Sequence, residues 1–217
     1  MLAQRPDPDS VGEAGRPLSR SRKFAGKRDA IMDAATRILN ARTYALATMT
    51  EIAAALDLRD AALYYYFPSK QALFHACHVR SMDRFERFLV EADGEGATGA
   101  AKLERFLSRF IEDSARNGPL LYFGDYYHLQ ARHRREIALR ADKLTRMLER
   151  FLIVGIEDGS ITRCETNLVV RLLLGMLIWL AKWVPTIEGL TAERLLAAIQ
   201  AFSFHGLEAG GASPAEG

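Results

Sequence analysis

Ile31, Ala34, Ala35, Ile38 and Leu39 recur at i, i+3, i+4, i+7 and i+8, which puts five apolar side chains on one stripe of a helix. The same spacing returns in Leu103, Phe106, Leu107 and Phe110, and again in Ile137, Leu144, Leu148, Phe151 and Leu152. No run of alternating apolar and polar residues is long enough for a sheet. Helix stripes must therefore be buried against one another, and the expected fold is all-α. With 217 residues, 49% hydrophobic and 26% charged, the chain has the length and composition of an ordinary globular protein.

Punctuation divides the pattern. Ser69, just after Pro68, is a good N-cap for a long helix with Leu73, Phe74, Cys77, Phe85, Phe88 and Leu89 inside, closing in the loop DGEGATG. A helix from about Ala97 to Arg116 is broken by Asn117, Gly118 and Pro119. The aromatic segment PLLYFGDYYHLQ follows, then a long charged helix stopped at EDGS with Gly159 as a left-handed cap. Two last helices are expected at about 165–183 and 191–207. Residues 1–22 read as a flexible arm and 209–217 as a flexible tail, because neither has much to bury. That leaves 23–78 and 79–208 as two domains.

Four aromatic residues stand in succession at Tyr64, Tyr65, Tyr66 and Phe67. One helix face buries at most two of them, so at least one ring must point outwards. From Thr48 the chain reads TMTEIAAALDLRDAALYYYF, and Ile52, Ala53, Leu56, Leu58 and Leu63 match two short helices packed across a tight turn. This is a helix-turn-helix layout, whose second helix enters the major groove of DNA. Thr48 or Thr50 caps the first helix; the second runs from about Arg59 to Tyr66. Leu63 and Phe67, four residues apart, form its inner face. Tyr64 and Tyr65 are then turned out, with Tyr66 at the boundary, and a phenol at a groove wall reaches phosphate with its hydroxyl. The net charge is only +2, but Arg16, Arg20, Arg22, Lys23, Lys27, Arg28, Arg37 and Arg42 face only Asp29 and Asp33 over residues 16–43, so positive charge is concentrated at the front.

The stretch from about Lys27 to Phe74 resembles the DNA-binding domain of the TetR family of bacterial transcriptional repressors. Leu63, Tyr64, Tyr66, Phe67 and Lys70 stand as that family's Leu-Tyr-x-Tyr/His-Phe-x-x-Lys run. The resemblance implies phosphate contacts from Thr48, Tyr64, Tyr66 and Lys70, and base-edge contacts from Arg59, Asp60, Ala61, Ala62 and Tyr65; Lys27 of the basic run is grouped with them. Two positions depart from the pattern: Asp57 holds the turn usually given to Gly, and Ala61 and Ala62 replace a small polar pair. The resemblance also implies a homodimer through the last two helices, a double-stranded DNA operator and a small-molecule effector bound by the second domain. The segment Trp179–Gly189 is similar to family members that sense acyl-CoA esters.

Pockets between helices are mostly apolar with a few polar groups. The candidate lining is Phe106, Phe110, Tyr122, Tyr126, Tyr127, Met147, Met176, Trp179 and Trp183, with His128 and Arg146 for a polar end; plain core is the alternative for each. LLLGMLIWL, apolar nearly all round, reads as a dimer seam in which Gly175 permits close approach and Leu195, Leu196, Ile199 and Phe202 supply the partner stripe.

Other patterns lead elsewhere. Gly94, Gly96 and Gly99 spell G-x-G-x-x-G but follow no strand, so a loop is expected rather than a phosphate site. His75, Cys77 and His78 do not converge on one helix face, and neither a metal nor a cofactor is expected. Two cysteines, no secretory leader and a longest apolar run of ten residues, 172–181, lead to the expectation of a cytoplasmic protein with no membrane span. No nucleophile–base set appears, so no catalytic residue is named; an all-α binding protein or enzyme without specific DNA binding is the alternative.

Overall fold

The computed structural model describes residues 16–206. Among them are eight α-helices and no strand: α1 (Arg16–Ala41), α2 (Met49–Ala54), α3 (Asp60–Tyr66), α4 (Lys70–Glu95), α5 (Gly99–Asn117), α6 (Ala131–Glu157), α7 (Thr166–Trp183) and α8 (Ala192–Gln200). A 3-10 turn at Phe123–His128 fills the aromatic segment between α5 and α6. The last helix ends in a π-helical turn, Ala201–His205, not in an α-helix to 207.

α1 to α3 pack against the first turns of α4 as one unit. Ile31, Ala35, Leu39, Ile52, Ala53, Leu63 and Phe67 are buried together, the stripe that their spacing predicts. The backbone of α1 is helical from Arg16, inside the segment expected to be an arm. Arg22 and Lys23 are therefore on a helix, exposed; residues 1–15 and the tail 209–217 lie outside the described residues. Ser69 caps α4 by accepting the N–H of Ala72 at 3.1 Å. That helix continues through Asp93, Gly94 and Glu95, which the sequence placed in a loop, because Ala92 and Leu89 still face the core. α4 crosses the expected boundary at residue 78 without a break.

α5, α6 and the later turns of α4 form the second unit, with α7 laid on α6 and α8 on α5. Gly99 explains part of the glycine pattern: a Cβ there would collide with the backbone of Gly155, so glycine lets α5 meet α6. Asp158 accepts the N–H of Gly99 at 2.8 Å and so caps α5 from across the interface. Hydrogen bonds from Ser160 and Gly99 hold the Asp158 carboxyl below its ordinary range.

Candidate DNA interface and effector cavity

Thr48 accepts the N–H of Glu51 at 3.1 Å and caps α2, leaving its hydroxyl hydrogen free to donate outward. The chain then turns at Asp57 with φ +53°, the left-handed conformation that Asp tolerates better than most side chains. α3 emerges with Leu63 and Phe67 sealed inside. Tyr64 is 48% exposed and Tyr65 74% exposed. The row of rings thus splits as the spacing requires, two inward-facing positions anchoring a helix whose phenols face solvent.

The remaining members of the surface are partly engaged. Tyr66 is half-buried because Phe24 of α1 stacks on it at 4.9 Å, and the same ring meets Tyr65 edge-on at 5.8 Å. Phe24 escaped the sequence reading: seven residues before Ile31 it falls on the same helix face, but it stands alone among the basic residues Arg22, Lys23, Lys27 and Arg28. Arg59 and Ala61 are exposed and Ala62 is half-buried. Asp60 is tied down by the Thr50 hydroxyl, which donates to its carboxylate at 2.6 Å. Lys27 is half-buried. Lys70 lies over the Tyr44 ring at 4.2 Å, and burial lowers its pKa from the ordinary lysine value.

In the second unit a cavity of about 430 Å³ opens between α4, α5, α6, α7 and α8. Its walls are chiefly aliphatic, with Leu144, Leu174, Leu177, Ile178 and Leu195 prominent, and α4 contributes His78, Ser81, Met82 and Phe85. The loop after α5 closes one side with Pro119, Leu120 and Leu121. Of the nine lining residues expected from sequence, only Phe110 reaches it. Phe106 is in the closed core. Met147, with Arg146, lies on a separate hollow beside Leu89 and Arg150. Met176 and Trp183 pack partly buried against the core, and Trp179 is 54% exposed. Tyr122, Tyr126, Tyr127 and His128 serve the junction between the two units instead: Tyr126 stacks on Phe123 at 4.7 Å, Tyr127 leans on His128, and His128 stacks on Tyr44 at 5.2 Å. Aromatic content does not mark this cavity, which is made mainly of Leu, Ile and Ala, residues that look like core in a sequence.

That junction is hydrogen-bonded. Asp125 accepts the backbone N–H of Tyr44 at 3.1 Å, and Gln71 donates to both the Tyr44 hydroxyl and the His128 carbonyl at 2.8 Å. The three residues His75, Cys77 and His78 go to different surroundings: His75 stacks on His133 at 3.9 Å, the Cys77 thiol packs near the Met32 carbonyl, and His78 lines the cavity. Burial pushes the Cys77 thiol up to about 12, which leaves it inert. Among the described residues no group of three or more His, Cys, Asp or Glu is placed to hold a metal ion.

α7 is two-faced. Leu174, Leu177, Ile178 and Ala181 line the cavity, while Leu168, Leu172, Gly175 and Trp179 form an exposed stripe on the other side, with Leu172 74% exposed. By length and composition Thr166–Thr186 meets the requirement for a membrane span, which the ten-residue reading missed by stopping at Arg171 and Lys182; 28% of its apolar window is buried. Leu195 and Ile199 of α8, expected in the seam, are buried inside the protomer, whereas Leu196 is half-buried and Phe202 exposed.

A helix-turn-helix with outward phenols, joined to a helical domain enclosing an apolar cavity, defines an all-α DNA-binding regulator. The family model for bacterial regulatory proteins, tetR family, matches residues 31–77, and that for the Tetracyclin repressor-like, C-terminal domain matches residues 96–207. The chain belongs to the TetR family of transcriptional regulators, a non-enzymatic family. It is similar to AibR, solved in complex with isovaleryl coenzyme A and operator DNA, at 25% identity over 82% of this chain and 98% of that one, TM-score 0.70. Two further structures share the fold. The regulator PfmR from Thermus thermophilus is 24% identical over 82% and 99% of the two chains with TM-score 0.70, and the ketosteroid regulator KstR2 of Mycobacterium tuberculosis is 19% identical over 83% and 94% with TM-score 0.72. No curated protein matches the chain.

Proposed function

We propose that the protein is a homodimeric repressor that grips an operator through α3 and is released when a small, mostly apolar molecule fills the cavity. One observation carries this reading: α4 belongs to both sites. Lys70 opens its first turn, four residues after α3 ends at Tyr66, and His78, about 12 Å further along the axis, lines the cavity. An occupant that moves α4 therefore moves the phosphate-facing end as well. Release requires the ligand to prefer the moved state, and the coupling expected of such devices is ~1–3 kcal/mol.

Thr48, Tyr64, Tyr66 and Lys70 supply the phosphate contacts, with Arg59, Asp60, Ala61, Ala62 and Tyr65 along the groove. The stripe Leu168, Leu172, Gly175 and Trp179 is the seam to a second copy, which sets two recognition helices about 34 Å apart. AibR supports an acyl-CoA ester as effector class, its acyl end inside the cavity.

Selection of bound duplexes from a random pool, followed by mobility shifts, tests the reading. The variant carrying both Tyr64→Ala and Lys70→Ala is expected to lose the selected duplex while remaining a dimer by sedimentation. Undiminished binding by a dimeric double variant refutes the placement of α3 on DNA.

A further inference from the structure

We infer that the cavity recognises a neutral oxygen, a hydroxyl or a carbonyl, on an otherwise apolar molecule, and that His78 and Ser81 are the groups that pair with it. This rests on the cavity being the effector site and adds what chemistry it selects.

Among the described residues no Lys, Arg, Asp or Glu lines the cavity. A charged ligand group placed inside would be buried with no counter-charge, which is far more costly than burying a neutral one. Of its other polar side chains, Thr145 donates its hydroxyl to the Ala141 carbonyl at 2.9 Å, Thr191 caps α8 from an exposed position, and Ser114 is half-buried on α5. His78 differs from these. It is 1% exposed, and its Nε2 has no hydrogen-bond partner among the described residues. Phe74 and Phe123 flank the imidazole edge-on at 4.6 and 6.1 Å, which fixes the ring rather than letting it swing to water.

Ser81 stands one turn further on the same face of α4. Its oxygen accepts the N–H of Leu121 at 3.0 Å, so its hydroxyl hydrogen is left to donate. A ligand oxygen between the two residues meets a hydroxyl donor and an imidazole nitrogen that donates to a carbonyl or accepts from a hydroxyl, according to tautomer. Desolvation drives the His78 pKa down to about 3, so the ring is neutral at physiological pH and offers no charge to a carboxylate. At about 430 Å³ the space equals on the order of fourteen water-sized groups, enough for a ten-carbon chain with its oxygen. An ester or thioester carbonyl meets the same requirement, provided that any charged portion stays outside.

Calorimetric titration of the full-length protein with decanol, the methyl ketone of equal length, decanoate and decylammonium at neutral pH tests this. The alcohol and ketone are expected to bind at least tenfold more tightly than either ion, and His78→Leu is expected to weaken them about tenfold, as for one neutral hydrogen bond lost with its partner left buried. Should His78→Leu fail to fold, His78→Phe carries the same comparison. Equal or tighter binding of an ion, or unaltered alcohol and ketone binding in the His78 variant, overturns the inference. Ala181→Trp, which fills the cavity, separates the two levels. If it abolishes binding while an ion is preferred, only this inference falls; if it leaves binding unchanged, or if none of the four probes binds, the cavity reading falls and this inference with it.

Discussion

Asn40 Oδ1 accepts the backbone N–H of Tyr122 at 2.7 Å, while its Nδ2 donates to the Leu120 carbonyl at 2.8 Å. The residue is buried in the last turn of α1, and Leu120 belongs to the cavity wall. Its own carbonyl accepts Lys182 of α7 at 2.8 Å. A single residue thus joins the helix-turn-helix unit, the cavity and the exposed stripe helix.

Asn40→Ala leaves the Leu120 carbonyl and the Tyr122 N–H without partners. Each buried group stranded in this way costs about 1–3 kcal/mol, so a loss of about 2–4 kcal/mol is expected in urea denaturation. Duplex affinity measured with and without a saturating cavity ligand should also converge, because the wall is no longer clipped to α1. Unchanged stability and undiminished ligand response would remove the clip from the coupling route.

His78 makes stability depend on pH. Its folded pKa, about 3, lies below the ordinary 6.5, so the unfolded chain binds the extra proton first. Stability is complete above 6.5 and falls by about 1.4 kcal/mol per pH unit below it, until the folded pKa is reached. His75, also lowered by burial and by the neighbouring His133, adds in the same direction. The slope of unfolding free energy between pH 6.5 and 5 should be shallower in His78→Leu than in the parent; equal slopes would place the imidazole in water.

Gly99→Ala tests the α5–α6 contact. With backbone on the far side of the clash, the added methyl has no flexible neighbour to displace, and a loss of about 1–3 kcal/mol is expected. Gly94→Ala, where nothing lies within 4 Å, is the control and should be neutral or slightly stabilising.

How much of this was legible in the sequence depended on whether a residue's neighbours were near in the chain. Leu63, Phe67, Ser69 and Asp57 act through contacts within a few residues, and spacing plus capping rules place them correctly. The aliphatic cavity was not legible. Leu177 lines it and Leu173 does not, yet both are buried on α7, and only the packing of the neighbouring helices around them distinguishes the two. Asn40 gave no local signal either, since its partners lie on the far side of α4 in sequence. His78 stood in view beside His75 and Cys77 with no metal role expected; that it lines the cavity depends on how α5 to α8 pack around α4.

The α7 stripe carries the prediction on assembly. Leu172→Glu puts a charge in the middle of an apolar face and is expected to turn a dimer into a monomer in sedimentation, with duplex affinity falling in parallel because the second recognition helix is lost. A dimer of unchanged stability would move the seam elsewhere.

The docking of α3 and the first turn of α4 on duplex DNA is tested most directly by the salt dependence of binding to the selected duplex. On the proposed docking Lys70→Ala removes one phosphate-neutralising cation per protomer, so the slope of log K against log salt should become shallower by about 1.8 for two protomers. Tyr64→Phe, which deletes only the phenol oxygen, should weaken binding with the slope unchanged. An identical slope for Lys70→Ala together with full affinity for Tyr64→Phe would contradict the account.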